Sequence, residues 1–359
     1  MKTFRIAVLP GDGIGPEVIQ AAVAVLRAVE AQLHGVALQF EEYSVGAGEY
    51  LRSGDPLPPG TIERLKQSSD AILLGAMGLP DVRWPGGTEM APQLDLREQL
   101  DLYGGERPVR LYHENDTPLK GYRSGEIDFV IVRESTEGLF SSRKSTFAKD
   151  ASEVTDTLRI TRRSAERVCR YAFRLAARRR KLVSLVDKAN VLPSMAFFRM
   201  IFDQVAREFP GVRTERIYVD AASLYLVQRP QDFDVIVTEN MFGDILSDLA
   251  AGLVGGMGMA PSGDIGDQYA VFQPSHGSAP DIAGQGRANP TATILSAAMM
   301  LEWLAERETL RGAALIRRAV ETVFLDPANR TPDMGGSLRT EDLTRLILDA
   351  VAAPSAATR

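Results

Sequence analysis

Short apolar runs alternate with amphipathic stretches along most of this chain. Phe4 to Leu9 is a compact apolar run closed by Pro10 and Gly11, and it predicts a short buried strand. Pro16 to Leu33 follows with apolar residues at helical spacing and proline in its first turn, which predicts an amphipathic helix. Similar apolar runs fall at Ala71 to Leu74, Phe129 to Val132, Leu182 to Val186 and Val235 to Val237. Helical patterns intervene, among them Ala165 to Ala177 and Asn240 to Leu253. Strands this short and this apolar, separated by helices, predict parallel strands covered on both faces, hence the α/β class. No internal repeat or low-complexity block interrupts the pattern, and Ala352 to Arg359 is expected to fray.

At 359 residues the chain suits two domains or one large α/β unit, and 45% hydrophobic content can bury a sizeable core. A net charge of −6 argues against a nucleic-acid partner, which needs concentrated positive charge to neutralise phosphates. The one basic run, Arg178 to Lys181, ends a helical pattern, where cations complement the helix dipole. The single cysteine, Cys169, excludes a disulfide framework and reads as a small packing residue beside Val168 and Tyr171. Three isolated histidines cannot assemble a zinc cluster. No run approaches the roughly 20 apolar residues of a membrane span. The apolar start is too short for a signal-peptide core, so cytoplasmic residence is the expectation.

Several stretches carry chemistry. Gly11-Asp12-Gly13-Ile14-Gly15-Pro16, between strand and helix, has the outline of a dinucleotide fingerprint. Its third glycine comes one residue early, however, and Asp12 puts negative charge where a pyrophosphate would sit. The stretch is therefore read as a tight turn bringing backbone close to a ligand. Asp244 and Asp248 are four residues apart in a helical pattern, so both carboxylates share one face. A solvated face would explain the pair in isolation. Among Met241, Phe242, Ile245, Leu246 and Leu249, however, the carboxylates need a partner, and Mg²⁺ or Mn²⁺ suits oxygen ligands. Arg97, Arg107 and Arg133 are candidate carboxylate clamps, because a planar guanidinium grips a carboxylate in two places. Arg133 is the best of the three, since it directly follows a strand and α/β sites collect at strand ends. Lys188 also follows a strand and could serve either as a base or as a surface lysine. Ser275 to Gly284 is a small-residue stretch with glycine and proline, which predicts a shaped loop. An aspartate there could accept from ribose hydroxyls and would repel a 2′-phosphate, which favours NAD over NADP.

In their order, GDGIGPEV at the start, LDLR and ERP around Arg97 and Arg107, VRESTEG at Arg133, VDKANVL at Lys188, FDVIVTENMFGDILSDLAAGLVGG at Asp244 and HGSAPDIAGQGRANPTATILSAAMM at His276 resemble one family. It is that of the β-decarboxylating dehydrogenases, which act on 3-isopropylmalate, homoisocitrate, isocitrate, tartrate or D-malate. The resemblance covers nearly the whole chain. It implies two α/β domains around a central cleft, not a Rossmann fold. Residues 1–102 and 255–359 would form the cofactor-side domain, and 103–254 the central domain through which two copies pair. Asp244 and Asp248, with Asp220 from the second copy, would hold Mg²⁺ or Mn²⁺. Arg97, Arg107 and Arg133 would grip the carboxylates of a malate, and Lys188 would take the C2 hydroxyl proton, reaching like Asp220 into the neighbouring site. His276, Gly277, Ser278, Ala279, Asp281 and Asn289 would hold the adenosine half of NAD. Ile14 and the loop Gly75 to Gly78 would line the cofactor cleft.

Two departures from the family pattern bear on chemistry. Phe140 stands where the family usually carries a tyrosine that protonates the enol, and phenylalanine has no transferable proton. Water, Ser141, Ser142 or Tyr225 would have to take over. Gln273 stands where a glutamate near the nicotinamide is usual, so the local charge changes. For the substrate, Leu94 replaces the arginine with which homoisocitrate enzymes hold a distal carboxylate, which together with Met90 favours an apolar C3 substituent, although Gln93 adds polarity. The resulting expectation is a 3-isopropylmalate or 3-alkylmalate dehydrogenase. A tartrate or D-malate enzyme comes second, then a homoisocitrate or isocitrate enzyme. A regulatory homologue that has lost turnover through Phe140 is the alternative outside enzymology.

Overall fold

The computed structural model describes residues 1–353, and of the terminal stretch expected to fray, residues 354–359 lie outside the described part. The predicted strands form as β1 (Lys2–Gly11), β3 (Ala71–Ala76), β5 (Asp128–Glu134), β6 (Leu182–Asp187) and β8 (Val235–Thr238). To these the structure adds β2 (Val36–Glu42), β4 (Gly104–Arg110), β7 (Arg213–Tyr218), β9 (Pro261–Ile265) and β10 (Ala270–Pro274). All ten join one sheet in the order β2-β1-β3-β10-β9-β4-β5-β8-β6-β7. Its two wings are parallel, as the apolar runs predict. The centre is not: β10–β9, β9–β4 and β4–β5 pair antiparallel. The reason is local, because β9 and β10 are joined by a four-residue turn, which can return only antiparallel.

Buried apolar side chains cluster on either side of that centre. Three clusters draw on residues 4–102 and 259–351, with Tyr112 the one member from between. Two others draw on residues 103–254. The helix Thr291–Trp303 is buried from Thr291 through Leu301, so it is apolar or small on every face and packs behind β9 and β10. Ser296, within it, accepts from the Ser262 amide at 3.1 Å and donates to the Gln273 carbonyl at 2.8 Å, which fixes the β9–β10 pair from behind. Cys169 is fully buried in the helix Arg162–Ala177, and burial pushes its thiol well above the ordinary range, as suits a packing residue. Among the described residues no helix is long and apolar enough to cross a membrane.

Candidate active site

A cavity of about 250 Å³ opens where the antiparallel centre meets the helix Asn240–Gly252, a size that suits a small acid rather than a whole dinucleotide. Its wall brings together Arg97, Arg107, Arg133, Phe140, Asp244, Asp248, Leu94, Gly75, His276 and Gly277 from widely separated parts of the chain. Each arrives by a local reason. Arg133 lies at the end of β5, next to the helix that carries both aspartates. Gly243 lets that helix approach, since a side chain there would sit 2.7 Å from the Arg133 Cβ. Glu239 caps the helix by accepting from the Phe242 and Met241 amides at 2.6 and 3.1 Å. Arg107 projects from β4 beside Gly105, where a side chain would collide with the Ser135 hydroxyl at 2.6 Å.

The three guanidiniums are not equally free. Arg133 donates Nε and Nη2 to the Asn240 amide oxygen at 2.9 and 2.6 Å, and Nη1 to Asp244. Its guanidinium also lies over the Phe140 ring, 5.1 Å from the centroid. Burial and the nearby Arg97 lower it to about 10, so it stays charged at neutral pH. Arg107 donates Nη2 to Asp264 at 3.1 Å and Nη1 to the Glu106 carbonyl at 3.1 Å. Arg97 gives only Nε, to Asp264 at 2.9 Å; its two terminal nitrogens make no hydrogen bond within the described chain. The most available fork is thus Arg97, while Arg133 is the most tightly held.

Asp264 is the residue that sequence reading missed. It lies on β9, is 1% exposed, and also accepts from the Gln273 amide at 2.9 Å. Burial by itself would raise its carboxyl, but Arg97 and Arg107 outweigh that and hold it at about 2. The negative charge expected to be missing at Gln273 therefore stands one strand away. A signal was available: with the recognised aspartates assigned to a cation, three arginines gathered at an interior site still needed a counter-charge of their own.

Asp244 and Asp248 share one helix face, and partial burial together with the Asp244 charge raises the Asp248 carboxyl. Two oxygen donors in mutual repulsion, one of them drawing an arginine, are a donor set that a hard cation would satisfy. Asp220 is not with them. It lies at the start of the helix Val219–Gln228, largely exposed, and accepts from Lys188 Nζ at 2.6 Å. No three potential ligands meet among the described residues of one chain. Around the Lys188–Asp220 pair, Val191, Tyr218, Leu224 and Val227 are exposed apolar side chains, as is Ile245 on the aspartate helix.

The remaining predicted residues fall into two groups. His276 and Gly277 line the cavity; burial keeps the His276 imidazole below its ordinary range, and its Nε2 is buried without a partner. Ser278 and Ile14 instead lock the loop to the first turn. The Ser278 carbonyl accepts from the Ile14 amide at 2.8 Å, and its hydroxyl donates to the Gly78 carbonyl. The Ile14 side chain packs with Ala279, Ile282 and Ala288 beneath the loop. The turn thus brings backbone close to another loop. Asp12 serves it structurally, accepting from the Ala47, Gly48 and Gly78 amides at 2.8, 2.7 and 2.8 Å. Asp281 is exposed on the loop. Asn289 is buried, accepts from the Thr291 amide at 3.0 Å and turns its own amide toward Asp333. Met90 is buried and lies outside the cavity wall, whereas Leu94 and Gln93 line it. Ser141, Ser142 and Tyr225 do not line the cavity. Of the hydroxyls that do, Ser247 and Ser262 are hydrogen-bonded within the chain, whereas Ser275 Oγ is buried without a partner.

Residues 5–350 match the family model described as isocitrate/isopropylmalate dehydrogenase. An isocitrate/homoisocitrate dehydrogenase of Thermus thermophilus is 46% identical over 97% of this chain and 98% of its own length. A 3-isopropylmalate dehydrogenase of Moorella thermoacetica is 47% identical over 92% of this chain and 93% of its own. The solved isocitrate dehydrogenase of Methylococcus capsulatus superposes with a TM-score of 0.87 at 38% identity, over 98% of this chain and all of that one. The chain belongs to the isocitrate/isopropylmalate dehydrogenase family, and its fold is that of these decarboxylating dehydrogenases.

Proposed function

We propose that this protein oxidises and decarboxylates a 3-substituted malate with NAD and a divalent cation, its substrate being 3-isopropylmalate or a close 3-alkylmalate. The observation that carries the reading is the convergence of three arginines and two same-face aspartates in one small cavity beside Leu94. Arg97, with both terminal nitrogens free, and Arg107 and Arg133 hold the substrate carboxylates. Asp244 and Asp248 hold Mg²⁺ or Mn²⁺ together with Asp220 of a second copy. A cation held there would supply Lewis acidity for the oxidation and for the loss of CO₂. The NAD side is formed by the Gly75 wall and the His276 loop, whose buried, partnerless Nε2 is available to a ligand. NAD supplies the hydride acceptor. Lys188 of the second copy takes the C2 hydroxyl proton. Phe140 cannot return one to the enol, so water or the unpartnered Ser275 hydroxyl does.

A tartrate or D-malate dehydrogenase is the second reading, favoured by Gln93, whose buried Oε1 lacks a partner and could accept from a substrate hydroxyl. NADH formation with Mn²⁺ from D-malate, tartrate, 3-isopropylmalate, isocitrate and homoisocitrate separates the readings. The expected best substrate is 3-isopropylmalate, while binding without turnover of any of them would mean a regulatory homologue.

The shared site has its own test. Lys188→Met and Asp248→Asn are each expected to inactivate a homodimer. In a mixed dimer, the intact Lys188 of one copy meets the intact aspartates of the other at one of the two sites. Equal amounts of the two variants, unfolded and refolded together, should recover about a quarter of wild-type activity. No recovery would place Lys188 in its own chain's site.

A further inference from the structure

We infer that the protein has a second binding site, on the opposite face of β4 and β9 from the arginine cavity, and that it takes a small amphipathic carboxylate. Successive residues of a strand point to opposite faces, so Glu106 turns away from the cavity that Arg107 enters. On β9, Pro261 and Ser262 divide in the same way. Behind the sheet, Glu106 and Pro261 line a cavity of about 300 Å³. Its wall joins Tyr112 and Arg179 to Glu302 and Arg317, which come from the far end of the chain.

What marks the cavity as a site is its store of unused donors. Arg317, on the helix Arg307–Phe324, gives Nε and Nη2 to Glu302 at 2.7 and 2.8 Å; its Nη1 makes no hydrogen bond within the described chain. Arg179 gives Nε to Asp234 at 2.9 Å and Nη2 to Asp128 at 2.7 Å, which likewise leaves Nη1. Tyr112 is 7% exposed, and its hydroxyl also makes no hydrogen bond within the described chain. A buried hydroxyl in that state is costly unless something fills the cavity. Its ring lies 5.9 Å from that of Phe324, with the Arg110 guanidinium 5.8 Å from its centroid, so the hydroxyl is held in place. Burial pushes it up to about 12, so it remains a donor.

The carboxylates of the wall are largely engaged. Arg317 occupies both oxygens of Glu302, Arg179 takes one of Asp128, and the Tyr171 hydroxyl takes one of Glu106. The second Asp128 oxygen lies 3.9 Å from Arg110. Burial raises the Glu106 carboxyl toward its neutral form, which lessens its repulsion of an anion. Two cationic N–H groups and a hydroxyl are thus left to satisfy, and an anion with acceptor oxygens satisfies them. Val130, Leu175 and Met259 line the remainder, so the anion carries a short hydrocarbon chain.

The test is calorimetric titration of the full chain with 4-methylpentanoate, a short branched acid that fits the volume. Wild type should bind it with a Kd of about 1 mM or below, the range open to a ligand of this size. Arg317→Met should weaken binding about tenfold or more, the loss expected of a charge-assisted hydrogen bond, and Tyr112→Phe about fivefold. Tyr112→Phe keeps the ring against Phe324 and serves if Arg317→Met does not fold. Arg97→Met, altered in the other cavity, should retain the binding. The neutral 4-methylpentanamide and the chainless acetate should each bind about tenfold or more weakly. No binding by wild type would overturn the inference, as would binding of the amide or of acetate equal to that of the acid. So would binding lost in Arg97→Met but unchanged in Arg317→Met and Tyr112→Phe, which would place the acid in the arginine cavity.

Discussion

Replacing Arg133 with methionine is expected to lower kcat/KM by about 10²–10³-fold, the loss that follows truncating one partner of a buried, hydrogen-bonded charge pair worth about 2–5 kcal/mol. Arg133 is 3% exposed, bonds twice to Asn240 and once to Asp244, and stacks on Phe140. The chain invests four contacts in its orientation, and a methionine of similar length keeps the packing while removing the charge. Arg133→Lys keeps the charge but cannot bond Asn240 and Asp244 together, so it should also fall short of wild type. Steady-state kinetics on protein of unchanged circular dichroism is the check. A variant within threefold of wild type would remove Arg133 from the site.

Asp264→Ala should cost about 3–5 kcal/mol of stability, because it leaves Arg97 and Arg107 buried at 7% and 4% exposure with no counter-charge. Urea denaturation measures the loss, and a change under 1 kcal/mol would mean the arginines find other partners. The acid behaviour of wild type should agree. The folded-state value of Asp264 is about 2, below its ordinary 3.8, so on acidification the unfolded chain takes up this proton first. Its contribution is complete above about pH 4 and lost as the pH falls to about 2. Wild type and variant should therefore converge in that window. Glu134 and Glu239, raised by burial, act in the opposite sense, so the comparison with the variant isolates Asp264.

The parallel wings were legible because their strands are buried against apolar helices and carry that burial in their sequence. β4, Gly104 to Arg110, and β9, Pro261 to Ile265, were not, although the site stands on them. Their interior face is covered by arginines neutralised with an aspartate, so burial there leaves no apolar run, and glycine and proline mimic a loop. β7, at the sheet edge with exposed and half-buried positions, is hidden for the opposite reason. Of the site, Arg133 was visible because it comes straight after the apolar run Phe129 to Val132, although the strand itself extends through it to Glu134, and Asp244 and Asp248 because i and i+4 share a helix face. What linear order could not reveal was which fork is free. Arg97 and Arg107 look alike in sequence, yet a carbonyl and Asp264 occupy Arg107 while Arg97 keeps both terminal nitrogens. The partition of the glycine-rich loop was equally hidden: His276 and Gly277 face the cavity, whereas Ser278 and Asn289 bond within the protein.

The most direct test of the central claim is to supply 3-isopropylmalate, NAD and Mn²⁺ and measure NADH and released CO₂ together. The account predicts that both form in a one-to-one ratio and that both stop when the metal is chelated. NADH without CO₂, or turnover indifferent to chelation, would contradict it.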